Sequence, residues 1–195
     1  MIQRDSVEAS VEQPIVATDG SIRKAVMLCL DDFGYDFLTT AAGNDIRFES
    51  VVEKGKPTWR SQILIDEEHR LVRLFVFLTD ELYPDYRRLW VAELAGRTSD
   101  ALAIGSIEFD WDTGSAHFRN SLDLRSGNAT ADDIATRLLN PSSFAIRLWD
   151  RGYQNVNSSK ISARQALKAA LISLDAHENG DVKFNSQTPP LTLVK

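Results

Sequence analysis

The best-formed candidate for chemistry in this chain is Asp110-Trp111-Asp112-Thr113-Gly114. Its alternating carboxylates match the opening of a calcium loop, which also needs further oxygen ligands and a bidentate acid near its end. Those are missing downstream, and the same residues spell a polar hairpin turn. The acidic groups Asp31-Asp32, Asp66-Glu67-Glu68, Asp80-Glu81 and Asp132-Asp133 could supply a general acid and base if two of them met in a cleft with separated pKa values. Each falls at an expected element end or turn, which favours a solvated surface role. His69, His117 and His177 lie far apart, without ligand spacing. Cys29 sits on an apolar helical face with no orienting base, as an inert core thiol would. No catalytic residue, metal or cofactor is therefore expected.

Composition narrows the classes further. With 195 residues, 43% hydrophobic and 26% charged, the chain can bury one ordinary core. Its 28 acidic against 22 basic residues give a net charge of −6, which disfavours a general phosphate-backbone binder. Arg87, Arg88, Arg137, Arg147, Arg151, Lys160, Arg164 and Lys168 could form a basic helical patch. Interleaved aromatic platforms are absent from it, so nucleic acid is not the expected partner. A lone cysteine cannot close an internal disulfide, and Met-Ile-Gln-Arg-Asp lacks the apolar core of a signal peptide. The longest strongly apolar run, Leu74 to Leu78, is far short of the roughly 20 residues of a membrane helix. A cytoplasmic protein with no membrane partner is expected.

The elements that would position any site follow from periodicity. Residues 1–20 read as a flexible leader. Ser21 caps a helix in which Ile22, Val26, Leu30 and Phe33 share a face, and Gly34 ends it. Three strands follow: one carries Ile46, Phe48 and Val52, and the next Trp59, Ser61, Ile63 and Ile65. The third, Leu71 to Thr79, is apolar on both faces and reads as a buried central strand. Gly55-Lys56-Pro57 and Asp66 to His69 turn the chain between them. Tyr83-Pro84 opens a helix with Tyr86, Leu89, Trp90 and Leu94 on one face. A hairpin comes next, with Ile107, Phe109 and Trp111 paired against Ala116, Phe118 and Leu122. Thr130 and Asp133 resemble a capping box, Asn140-Pro141 interrupts the helix that follows, and Ser158 or Ser159 caps a last helix striped by Ala163, Leu167, Ala170, Leu171 and Leu174. The pattern predicts an α+β fold: two layers, an antiparallel sheet of about five strands in the order α-β-β-β-α-β-β-α, and helices packed on one face.

The helix leading into Ala103-Ile104-Gly105-Ser106-Ile107-Glu108-Phe109-Asp110, with Thr113-Gly114 and Phe118-Arg119-Asn120-Ser121-Leu122-Asp123, carries a family likeness. From about Ile22 to Val156 the chain resembles the YbjN-like family of bacterial proteins, described as sensory transduction regulators, whose fold is similar to type III secretion chaperones. The resemblance implies a domain over 21–156 with non-enzymatic, protein-directed work in the bacterial cytoplasm. It supplies no catalytic residues. A C-terminal helix over 157–178 and a tail over 179–195 lie outside it.

A partner-binding module follows as the expected function, chaperone-like and regulatory, its partner a protein, a peptide or a second copy of the chain. Edge strands offer unpaired backbone groups to an extended segment, and the last helix offers an apolar stripe for its own sheet or another copy. Trp59, Trp90, Trp111, Leu167 and Leu171 are the candidate contacts. Two alternatives stay open: a small-ligand sensor, which needs a closed apolar pocket, and an enzyme using scattered carboxylates.

Overall fold

Strands that alternate apolar and polar residues must cover one face and leave the other wet, and the sheet of this protein follows that rule across its whole width. In the computed structural model the described residues are 21–51, 58–78, 85–127, 129–159 and 161–179. The expected leader over 1–20, the Gly55-Lys56-Pro57 turn, Asp80-Glu81, Tyr83-Pro84 and the tail beyond Asn179 lie outside them. The elements are α1 (Ile22–Asp32), β1 (Phe37–Thr39), β2 (Asp45–Val51), β3 (Thr58–Asp66), β4 (Leu71–Phe77), α2 (Asp85–Ala101), β5 (Ser106–Asp110), β6 (Ser115–Asp123), α3 (Ala131–Ile134), a π-helical turn (Ala135–Leu139), α4 (Asn140–Ser159) and α5 (Ala163–Asn179).

All strand pairs are antiparallel, in the order β1-β2-β3-β4-β6-β5. One register row, Phe37-Phe48-Ser61-Val76-Phe118-Ile107, runs under the helices. Phe48, Ser61, Val76, Phe118 and Ile107 are buried there, and Ser61 shares a 2.6 Å hydroxyl bond with Ser50. The neighbouring row, Leu38-Arg47-Gln62-Phe75-Arg119-Ser106, lies on the opposite face. Gly105 enters β5 at φ +78, and a β-carbon there would come within 2.5 Å of the Phe118 ring.

The α+β class and the one-sided helical cover are as expected, and several details differ. The sheet has six strands rather than five, because Phe37-Leu38-Thr39 pairs with β2; three residues are too few to show alternation. Strand β4 is internal but buried on one face only, for Phe77 keeps 37% of its surface. On α2 the buried side is Val91, Leu94, Ala95 and Thr98, whereas Tyr86 and Leu89 are exposed. Its apolar residues surround the helix, so periodicity alone could not select the face. Ser162, not Ser158 or Ser159, caps α5: Ser162 Oγ accepts from the Gln165 amide at 3.3 Å, and Gln165 Oε1 accepts from the Ser162 amide at 3.0 Å. Helix α5 rests on α4 and α2 instead of on the sheet, with Leu148, Leu167, Ala170 and Leu174 forming a small separate core.

The caps at Ser21 and Thr130 form as the sequence predicts. A third cap comes from far along the chain: the Glu67 carboxylate accepts from the amides of Ile22 at 3.3 Å and Arg23 at 2.9 Å. It satisfies two of the orphan donors at the positive end of α1, so this turn acid ties the β3–β4 turn to the helix.

Asn140-Pro141 does not break the helical path. Asn140 keeps helical angles (φ −61, ψ −45), and the turn before it widens to π geometry. Proline has no N–H for the carbonyl four residues back, which belongs to Arg137. Asn120 of β6, itself buried, donates Nδ2–H to that carbonyl at 2.8 Å. A strand side chain thus replaces the donor that the helix lacks.

Asn120→Leu is expected to cost about 1–3 kcal/mol, the penalty of a buried carbonyl left without a donor. In a Pro141→Ala background, where residue 141 regains its amide, the cost should shrink. Urea unfolding of the four proteins of this cycle measures the coupling, and equal costs in both backgrounds would contradict it.

Candidate interaction site

Chemical candidates resolve first. Asp110 Oδ1 accepts from the amides of Asp112 at 2.8 Å and Thr113 at 3.2 Å, so the carboxylate closes the β5–β6 turn. Its bonds from Thr113 and Asp112 hold Asp110 below the ordinary carboxylate range. Asp66 accepts from the His69 amide and ring, and is lowered by them. Asp133 serves the Thr130 cap. Among the described residues no three His, Cys, Asp or Glu side chains gather in a way that could hold a metal ion. Cys29 is 1% exposed, and burial, with lesser contributions from Asp32 and Asp132, pushes its thiol up to about 12.

The predicted contact residues spread over four elements. Trp59 is half-buried on the inner side of β3, and Trp90 is half-buried on α2 with Tyr153 at 6.3 Å. Trp111 is 55% exposed in the hairpin turn, edge-on to Phe109 at 5.1 Å. On α5, Leu167 is buried and Leu171 half-buried against the small core around Leu148. That core occupies the last helix's stripe within the chain.

Among the described residues, what the sheet leaves uncovered is its outer face and one of its edges. The outer edge of β5 lies under α2, where Ser99 Oγ accepts from the Ile107 amide at 2.8 Å and donates to the Ile107 carbonyl at 3.1 Å. One hydroxyl thereby occupies both backbone groups of an edge residue. Strand β1 has no such cover among the described residues, and Leu38 on it is 77% exposed. Beside β1 runs a groove of about 760 Å³, lined by Asp36, Leu38, Arg47, Glu49, Arg60 and Phe77 among others.

Most of the charge on this face is neutralised locally. Arg47 meets Asp45 at 2.9 Å, and that bond, with a further one from Gln62, keeps Asp45 below its usual range. Glu108 takes both His117 at 3.1 Å and Arg119 at 3.2 Å. Arg60 lies 5.8 Å above the Phe77 ring and Arg119 6.0 Å above Phe75. Asp36 and Glu49 have no ion-pair partner among the described residues. Apart from Phe77, which falls in the apolar run Leu74 to Leu78, none of these groove residues stood out in the sequence.

The fold therefore defines an α+β domain whose antiparallel sheet carries helices on one face and, among the described residues, an uncovered first strand. No family model and no curated protein matches the chain. Among solved structures it is similar to the crystal structure of YbjN from E. coli, "a putative transcription regulator", with 13% identity over 68% of this chain and 92% of that one and a TM-score of 0.47. That is the group the hairpin motifs resemble, and at this level the likeness carries no functional conclusion. Among the described residues no helix is long and apolar enough to cross a membrane.

A raised thiol pKa has a sign that can be tested. Below the ordinary value of 9.0 both folded and unfolded Cys29 are neutral. Between 9 and about 12 only the unfolded thiol ionises, so its ionisation lowers stability as pH rises through that window. Urea unfolding of the native protein and of Cys29→Ala from pH 8 to 11 should diverge above 9, with the native protein falling faster; parallel curves would contradict the burial.

Proposed function

We propose that this protein is a non-catalytic, protein-binding module of the bacterial cytoplasm, regulatory or chaperone-like, that captures a partner segment on its uncovered sheet face at the β1 edge. The observation that carries this reading is the unequal protection of the two sheet edges, one plugged by Ser99 and the other bare among the described residues. An unpaired edge beside a groove that can receive alternate side chains is the arrangement used for strand addition.

The alternatives have less support. A general acid needs a raised carboxylate pKa, and every described carboxylate with a displaced value is lowered by hydrogen bonds. A ligand sensor needs a closed apolar pocket, and the β1 groove is open and rimmed by charge. For nucleic acid, the aromatic pair Phe75 and Phe77 does have cations above it, but Arg119 and His117 already share Glu108. That leaves little surplus positive charge for phosphates.

Capture from native bacterial lysate with the full-length chain and its Leu38→Glu variant, read by quantitative mass spectrometry, tests the proposal. It predicts a near-stoichiometric protein partner whose recovery drops at least ~10-fold in the variant, the equivalent of about 1.4 kcal/mol. No partner for either protein would overturn it, as would equal recovery by both.

A further inference from the structure

We infer that the β1 edge recognises an extended segment in which a lysine or arginine stands two positions from an apolar residue, an assignment that rests on the partner-binding reading above. The polarity of the edge comes from one bond. The Thr40 amide donates to the Asp45 carbonyl at 3.1 Å, which makes residues 40 and 45 a hydrogen-bonded antiparallel pair. Alternation makes Leu38 and Arg47 the next such pair and turns the N–H and C=O of Phe37 and Thr39 away from β2. Those four groups are the docking points that the edge presents to an incoming strand.

Once a strand is paired there, its side chains alternate between the two faces of the sheet. The residue standing beside Leu38 falls on the outer face, next to a leucine that is 77% exposed. Burial of both favours an apolar partner residue there. Two positions along, on the same face, the incoming side chain reaches the end of the groove that holds Asp36 and Glu49. Arg60 is opposite Glu49 in register but lies over the Phe77 ring, and Arg47 is engaged by Asp45. Among the described residues, Asp36 and Glu49 at this end face the single cation Arg60, Arg47 being taken by Asp45, so the balance there is negative and a cation is its complement. An acidic side chain in that place would meet two carboxylates.

The test uses the full-length protein and fluorescein-labelled peptides of the sequence Thr-Lys-Thr-Leu-Thr-Lys-Thr, whose symmetry satisfies parallel and antiparallel docking alike, against the same peptide with glutamate in place of lysine. Anisotropy at low salt should show the lysine peptide binding at least ~10-fold tighter. Thr39→Pro deletes an outward amide while sparing the bonds to β2, and should weaken that binding at least ~10-fold. The double variant Asp36→Lys, Glu49→Lys keeps the backbone edge intact and should reverse the preference between the peptides. Equal binding of both peptides, or binding indifferent to Thr39→Pro, overturns the inference. So does a dimer in solution that Thr39→Pro dissociates, since a second copy would then occupy the edge. If neither peptide binds while lysate capture still depends on Leu38, the inference fails and the partner-binding reading stands; if capture fails too, both fall.

Discussion

A proline stands in the path of the helix against which the rest of the helical layer is built, and the way its missing hydrogen bond is replaced decides where that layer sits. Residues 131–159 run helically through Pro141 only because the preceding turn opens to π geometry and Asn120 reaches up from β6 to the Arg137 carbonyl. That bond pins the helix to the sheet at a fixed point along β6. From there α3 meets α1, while α4 packs against α2 and α5, which also touch each other. Buried side chains such as Trp149, Phe118 and Leu74, each stabilising by roughly 1.5–3 kcal/mol on burial, fill the space that the clamp defines. Among the described residues, fixing the cover on one face leaves the other face and the β1 edge open.

Much of this is written plainly in the sequence. The hairpin from Ser106 to Asp123 alternates cleanly because one of its faces is core and the other water. Helix α1 announces itself through Ser21 and the recurrence of Ile22, Val26 and Leu30. Features that depend on distant parts of the chain do not show. Glu67 reads as a solvated turn acid because its partners, the amides of Ile22 and Arg23, lie more than forty residues away. Asn140-Pro141 reads as a break because the donor that rescues Arg137 sits on a strand. On α2 the stripe of Tyr86 and Leu89 is as apolar as that of Val91 and Leu94, and only the tertiary packing against β5, α4 and α5 chooses between them.

The groove was hidden for a different reason. A three-residue edge strand has no periodicity to detect, and its importance is relational: β1 matters because the other edge is closed by Ser99. Sequence patterns favoured the tryptophans and the last helix, residues rich in contact area. In the folded protein the last helix spends that area on α4 and α2, whereas the β1 groove is lined by one leucine, two acids, two arginines and Phe77, beside a strand's own amides. Its physics is that of unpaired backbone and uncompensated charge, both set by register rather than by residue type.

The central claim is the inequality of the two edges, and amide hydrogen exchange by NMR on the full-length protein measures it directly. The account predicts that Phe37 and Thr39 exchange at nearly the rate of exposed loop amides, while Ile107, held by Ser99, and Thr40, held by Asp45, exchange far more slowly. Protection of Phe37 and Thr39 in the free protein would mean that the β1 edge is already occupied, and would contradict the account at its foundation.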